Sequence, residues 1–216
     1  MEKFGYEQVV FFYDKTTGLK GITTIHNTTL GPSLGGTRMW NYASEDEALV
    51  DSMRLARGMA MKNAAAGLNL GGAKTVIWGD AKKDKSEAYF RALGRYVESL
   101  NGRYITAEDV NTTLQDMHYI NMETDHVVGL EGKSGNPSPV TAWGVYRGIQ
   151  ACLMEKFGHS EVKGHSFAIM GVGAVGYALV EFLVKNGAGK IYYTDINPAN
   201  INRMKKNFPD AEFVDG

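Results

Sequence analysis

Two lysines in this 216-residue chain stand among neighbours small enough to leave room for a reacting molecule. Lys62 lies in the alanine-rich run Met59–Ala66, and Lys74 follows twelve positions later, directly behind Gly71-Gly72-Ala73. A lysine flanked by residues with little or no side chain lets a substrate approach closely. Two lysines turned into one partly desolvated pocket would depress each other's pKa. An amine tuned in this way can work near neutral pH as an acid, a base or a Schiff-base nucleophile. Asp109, in Ala-Glu-Asp-Val after a strand-like stretch, could exchange protons with it. The structural alternative is that both lysines snorkel from element ends and Asp109 caps the helix that follows.

A second group is built from glycine. Gly171, Gly173 and Gly176 spell G-x-G-x-x-G, a pattern that a chain with 26 glycines can produce by chance. Its context gives it weight. The apolar run Phe167–Met170 leads into it, a helical pattern with Val175, Leu179 and Leu183 on one face leaves it, and Asp195 ends the next strand pattern. There Gly171 makes the tight turn and Gly173 gives a pyrophosphate access to the backbone. Gly176 lets helix and strand pack closely, and the helix N-terminus offers free N–H groups to phosphate. An acid at Asp195 accepts hydrogen bonds from the adenosine ribose and repels a 2′-phosphate, and neither Ile196 nor Asn197 is a cation. The expected cofactor is therefore NAD rather than NADP. A plain α/β turn with a structural Asp195 is the alternative.

These groups need elements to hold them. Val9–Tyr13 and Leu19–Ile25, joined by turn chemistry at Asp14–Gly18, predict a hairpin. Ser44-Glu45-Asp46-Glu47 has the capping-box form. It opens a helix with Leu49, Met53, Ala56 and Ala60 inward, fraying near Ala64. A short buried strand is expected at Thr75–Trp78. A helix at Ser86–Leu100 would turn Phe90, Leu93, Val97 and Leu100 inward and stop at Asn101-Gly102, before a strand at Arg103–Thr106. Apolar periodicity lapses over Gly129–Pro139, which divides the chain into residues 1–133 and 134–216. Ser138 and Pro139 then predict a helix start, with Val145, Ile149, Cys152 and Leu153 inward and an end at Gly158. Strand and helix patterns alternate from there: Phe167–Met170, Ala174–Lys185, Ile191–Thr194, Pro198–Asn207 and Glu212–Val214. The expected fold class is α/β, a substrate-holding α/β domain followed by a Rossmann-type domain.

Composition excludes other roles. With 23 basic and 24 acidic residues the chain lacks the positive footprint of a nucleic-acid or membrane-surface binder. A single cysteine, Cys152, fits a reducing compartment and is expected to be inert on its helix. The N-terminus has no apolar core of a signal peptide, and His165–Val180 is broken by glycines and too short to span a bilayer, so a cytoplasmic location is expected. The five histidines show no zinc-motif spacing. His118 and His126, near Asp116, Glu123 and Asp125, are read as a solvated face, and no metal is expected. Trp40, Trp78 and Trp143 are read as core and subunit contacts.

The segments HNTTLGPSLGGTRMW, RLARGMAMKNAAAGLNLGGAKTVI, LNGRYITAEDVNTT, SGNPSPVTAWGVYRG and GVGAVGYALVEFL resemble the Glu/Leu/Phe/Val dehydrogenase family of amino-acid dehydrogenases. The resemblance is closest to the branch that acts on leucine and other branched aliphatic substrates, and it covers nearly the whole chain. It implies reversible, NAD-dependent oxidative deamination of an L-amino acid to its 2-oxo acid and ammonia. On the family pattern Lys62 binds the substrate carboxylate, while Lys74 is the catalytic lysine that activates water and stabilises charge at the substrate carbon. Asp109 relays protons to and from the amino group. The pattern also sets Leu34, Gly35 and Gly36 beside the substrate, Ala107 at its side chain, and Thr141 near the nicotinamide. The methyl of Ala107, where relatives acting on phenylalanine tend to carry glycine, favours leucine, valine or isoleucine. Oxidation of phenylalanine or glutamate, or a non-catalytic binding module, are the alternatives. Two positions depart from the pattern. Ala73 replaces a glycine of G-G-G-K, adding a methyl beside the lysine, and Asn111 replaces the glycine of A-E-D-V-G. Family members are considerably longer, so the nucleotide domain is expected to be a first half only. A homo-oligomer is implied.

Overall fold

The computed structural model describes residues 1–130, 132 and 135–215. They form two compact units, Met1–Gly135 and Asn136–Gly216. The expected boundary at 133 and 134 falls on residues outside those described.

The N-terminal unit is built on a mixed sheet. Strand β1 (Gln8–Tyr13) pairs antiparallel with β2 (Lys20–Asn27), and β2 pairs antiparallel with β5 (Gly71–Trp78). Two short strands, β3 (Ser33–Leu34) and β4 (Thr37–Trp40), run parallel to β5 in one continuous register. Ser33 faces Gly71, Leu34 faces Gly72, Thr37 faces Thr75 and Arg38 faces Val76. They are one strand broken at Gly35-Gly36, and the break lies opposite Ala73 and Lys74. Strand β6 (Tyr104–Ile105) closes the order on the far side of β3.

Side chains alternate across β5. Ala73 and Ile77 join the main core with Phe90, Leu93 and Val97 of α2 (Glu87–Glu98) and Met117 and Ile120 of α3 (Leu114–Asn121). Val76 turns the other way, toward Ala48 and Leu49 of α1 (Glu45–Ala65). The sequence places β5 too late, at Thr75. It starts at Gly71 because the glycines lie inside the strand, where neighbours come close: a Cβ on Gly72 would be 2.1 Å from the backbone nitrogen of Ala60 in α1. The buried stripe of α1 is also displaced from the expected one. Ala48, Ser52, Ala56 and Asn63 are buried, whereas Leu49, Met53 and Ala60 are only partly covered. Beyond the apolar contact with Val76 the helix rests on backbone and hydroxyls. Ser52 Oγ donates to Thr24 Oγ1 (2.8 Å) and to the Lys74 carbonyl (3.1 Å), and Asn63 Nδ2 donates to the Gly71 carbonyl (2.6 Å). Ser44 caps α1 as expected, but the Glu47 carboxylate accepts from the N–H of Ala43, one residue before the cap.

The C-terminal unit has a three-stranded parallel sheet in the order β7 (Phe167–Met170), β8 (Ile191–Thr194), β9 (Glu212–Phe213). Helices α4 (Ser138–Phe157), α5 (Ala174–Lys185) and α6 (Pro198–Asn207) supply Tyr146, Leu153, Leu179, Leu183 and Met204 to its core. Helix α4 turns Ala142, Tyr146 and Leu153 inward, with Ile149 partly buried, and leaves Val145 and Cys152 exposed, so its stripe is also shifted from the expected one. Ser138 is the first helical residue rather than the cap, and its N–H is taken by the Asn136 side chain. The opposite face of the sheet carries Ala168, Met170 and Tyr192, with Met170 91% exposed. Among the described residues no helix is long and apolar enough to cross a membrane.

Candidate active site

Lys74 occupies the middle of β5, so its side chain leaves the sheet opposite to the core-facing Ala73 and Thr75. The methyl of Ala73 is fully buried in the main core. It does not lie beside the amine, as the sequence pattern suggests, because strand neighbours point to opposite faces. The Lys74 side chain is only 4% exposed, and its Nζ lies 2.8 Å from Asp109 Oδ2.

Asp109 reaches Lys74 because residues 107–110 are laced to β4. The N–H of Thr37 donates to the Ala107 carbonyl (2.8 Å) and that of Met39 to the Val110 carbonyl (3.1 Å). Thr112 Oγ1 accepts from the Asp109 N–H (2.9 Å). Asp109 caps no helix; α3 is capped by Thr113 in a capping box with Asp116. The break at Gly35-Gly36 brings these pieces into contact. A Cβ on Gly35 would be 1.6 Å from the Ala73 carbonyl oxygen, and one on Gly36 would be 2.8 Å from Asp109 Cβ. Leu34 is partly buried on one side of the break, and Ala107 is partly buried near it.

The second cation at Asp109 is Arg38, not Lys62. Arg38 Nε donates to Asp109 Oδ2 at 3.1 Å, the same oxygen that Lys74 contacts. Its Nη1 lies 3.1 Å from Asp51 Oδ2, which also accepts from the Tyr42 hydroxyl at 2.7 Å. Asp109 Oδ1 has no hydrogen-bond partner among the described residues, and the side chain is 25% exposed. Arg38, Tyr42 and Asp51 line an open groove of about 710 Å³ together with Trp40, Arg54 and Val110, whereas Lys74 and Asp109 do not line it. Lys62 is exposed near the end of α1 and makes no side-chain ion pair among the described residues. Sequence reasoning passed over Arg38 and Asp51. The alternation of β4, with Thr37 and Met39 buried and Arg38 and Trp40 turned out, is the signal that could have found Arg38.

Electrostatics follow from this arrangement. Burial holds the Lys74 amine below the ordinary lysine value; Asp109 opposes that shift and Arg38 adds to it. Burial works to raise the Asp109 carboxyl, but Lys74 and Arg38 outweigh it and hold the acid below its ordinary value. Burial, followed by the bond to Asp51, keeps the Tyr42 phenol protonated. Glu108 goes the other way, raised first by burial and then by Asp116, and its Oε2 is buried without a partner. The site thus sets an amine held below its ordinary pKa against a carboxylate held below its own. Among the described residues no group of three or more His, Cys, Asp or Glu could hold a metal ion.

The C-terminal unit carries the second group. Gly171 has φ 86° and ends β7, and Gly173 precedes α5 with no side-chain cap, which leaves the first-turn N–H groups to a ligand. A Cβ on Gly176 would be 2.0 Å from the Gly171 carbonyl oxygen. Asp195 directly follows β8 and is already engaged: its Oδ2 accepts from the Val172 N–H (2.8 Å) and Asn200 Nδ2 (3.1 Å), and its Oδ1 from the Asn197 N–H (2.7 Å). Burial works to raise its carboxyl, but these bonds and Arg203 outweigh it and hold it below the ordinary value. Arg203 of α6 is a cation that the sequence reading did not place here. It donates to the carbonyls of Val172 (2.9 Å) and Gly173 (3.2 Å) and lies over the Tyr177 ring. The glycine turn, the uncapped helix and the ionised acid fit a dinucleotide. The Thr141 hydroxyl donates to the Pro137 carbonyl, the ordinary bond of a first-turn threonine.

The family model described as Glu/Leu/Phe/Val dehydrogenase, dimerisation domain, matches residues 6–126. Leucine dehydrogenase from Bacillus cereus is 60% identical over 211 residues, covering 96% of this chain and 57% of its own. Leucine dehydrogenase from Thermoactinomyces intermedius is 59% identical over 217 residues, covering 99% of this chain and 59% of its own. Among solved structures, L-tryptophan dehydrogenase from Nostoc punctiforme superposes with a TM-score of 0.70 at 38% identity, covering 99% of this chain and 60% of that one. The chain therefore spans somewhat more than half the length of the relatives it matches.

Proposed function

The chain belongs to the Glu/Leu/Phe/Val dehydrogenase family, and on that premise we propose that it supplies the substrate site and the adenosine-side cofactor site of an NAD-dependent branched-chain L-amino-acid dehydrogenase. The observation that carries the reading is the ion pair between buried Lys74 and partly buried Asp109, whose Oδ1 has no hydrogen-bond partner among the described residues. The substrate class rests on the identity to leucine dehydrogenases and on the methyl of Ala107.

In this reading Lys62, an exposed cation with no side-chain ion pair among the described residues, takes the substrate carboxylate. Asp109 accepts a proton from the substrate ammonium through Oδ1, since Oδ2 is occupied. The bound NAD supplies the acceptor for the hydride that leaves the α-carbon. Lys74, whose amine loses its proton more easily than an ordinary lysine, takes a proton from the water that adds to that carbon and stabilises the charge there. Asp109 then returns its proton to the nitrogen, ammonia leaves as the C–N bond breaks and the hydroxyl proton passes to solvent, and the 2-oxo acid remains. Leu34, Gly35, Gly36 and Ala107 border the substrate. Gly171, Gly173 and Gly176 hold the pyrophosphate end of NAD by backbone, and Asp195 holds its ribose. Thr141 is assigned to the nicotinamide end on the family pattern alone. The reading carries with it assembly with further copies of the chain, which the dimerisation-domain match supports, and a cytoplasmic location.

The test joins this chain to the C-terminal remainder of the Bacillus cereus relative and follows NADH absorbance with L-leucine and NAD. Turnover that falls by about a thousandfold or more in Lys74→Ala is the expected result. Near-parental turnover in Lys74→Ala would overturn the mechanism.

A further inference from the structure

We propose that Arg38 is a positioning residue for the Lys74–Asp109 pair, anchored from behind by Asp51 and Tyr42 so that Asp109 presents its free oxygen to the substrate. The role toward substrate rests on the dehydrogenase reading; the role toward the pair does not.

The geometry is that of a bridge. Arg38 stands on β4, Asp51 on α1, and Asp109 in the segment that follows β6. One guanidinium joins all three elements, with Nε on Asp109 and Nη1 on Asp51. The Tyr42 hydroxyl holds the same Asp51 oxygen, so the far end of the bridge is fixed too. Both cations at Asp109 share Oδ2, which fixes the carboxylate with Oδ1 turned away from them. A lysine at 38 offers a single nitrogen and could not span both acids.

The second argument is charge. Lys74 must gain and lose a proton as it works, and each time it is neutral Asp109 loses one of its two cations. A partly buried carboxylate left alone there would take up a proton itself. Arg38 does not deprotonate in proteins, so Asp109 keeps one cation beside it through both states of Lys74 and takes up its proton from the substrate. The charged and titratable groups that act on Lys74 are Asp109, Arg38 and Asp51, and Tyr42 adjoins them through Asp51. Glu108 instead responds to Asp116 and Lys85, which form their own ion pair.

The test reads the Lys74 amine directly, by titrating its side-chain nitrogen signal in the 216-residue chain labelled with ¹⁵N-lysine. Arg38→Met removes a cation that opposes protonation, so the Lys74 midpoint is expected to rise. Asp51→Asn removes an anion that favours protonation, so the midpoint is expected to fall. Arg38→Lys keeps the charge and should stay near the parent. Loosened packing that merely admits water would raise the midpoint in both neutral variants. Opposite shifts therefore support the proposal, and shifts in one direction, or none, overturn it. Arg38→Gln serves as a second neutral variant should Arg38→Met not fold.

Turnover in the joined protein is a separate readout. There Arg38→Lys is expected to lower kcat by about tenfold or more with KM little changed, because the acid is misplaced rather than lost. Parental kcat in Arg38→Lys would refute the positioning role. A joined protein inactive on every amino acid, with the opposite shifts still present, removes the dehydrogenase reading and leaves the hold of Arg38 on the pair standing.

Discussion

Asn111 replaces the glycine of the family pattern, and the backbone explains why it can. Its φ is 62°, a left-handed conformation that asparagine adopts more readily than other non-glycine residues, and its Nδ2 donates to the Met39 carbonyl at 3.0 Å. Asn111→Ala should therefore lose about 2 kcal/mol or more, from strain and a missing bond, while Asn111→Gly loses about 1 kcal/mol from the bond alone. Urea unfolding of the chain checks that order; equal losses would show that φ is not what the position selects. Single residues were the part of the site most legible in the sequence. Lys74 and Asp109 announce themselves by small or acidic neighbours, and they do meet. Arg38, Asp51 and Tyr42 do not, because their partnership joins β4, α1 and the loop between them to a segment some seventy positions away, and no local pattern encodes that.

Between elements, the contact of α1 with β5 decides where Lys74 is held. The helix comes close enough to β5 that Gly72 has no room for a side chain. Gly72→Ala should cost about 1–3 kcal/mol as helix and strand are forced apart. Gly58, in the same helix with nothing within 4 Å of an added Cβ, should gain about 0.5–1 kcal/mol on Gly58→Ala. Thermal unfolding of both variants checks the pair, and a Gly72→Ala as stable as the parent would mean that the helix can yield. This interface also shows why periodicity misplaced the buried face of α1. Leu49 packs on the apolar cluster with Ile22 and Val76, but further along the surface opposite the helix is hydroxyl and backbone, which Ser52 and Asn63 match. In the C-terminal unit apolar runs pair with apolar runs, and there β7, α5, β8 and α6 were readable to the residue.

The molecule as a whole has two units, each with its own core. If the glycine turn takes NAD, hydrogen exchange on the 216-residue chain should slow at Gly171–Gly176 and around Asn197 on adding the nucleotide, with the amides of β5 unchanged. Protection confined to the N-terminal unit would contradict the assignment. Division of the chain near Gly129–Pro139 was visible from composition; strand order was not, because β3 and β4 are too short to advertise themselves. Their shared register has a consequence for how this protein can change. The two residues between Leu34 and Thr37 act as a spacer that sets the phase of everything after it. One residue more would put Thr37 where Arg38 stands, and one fewer would put Met39 there; either way the charge of Arg38 would turn to the buried face of the strand. Loops elsewhere can vary in length, but drift at this spacer is barred.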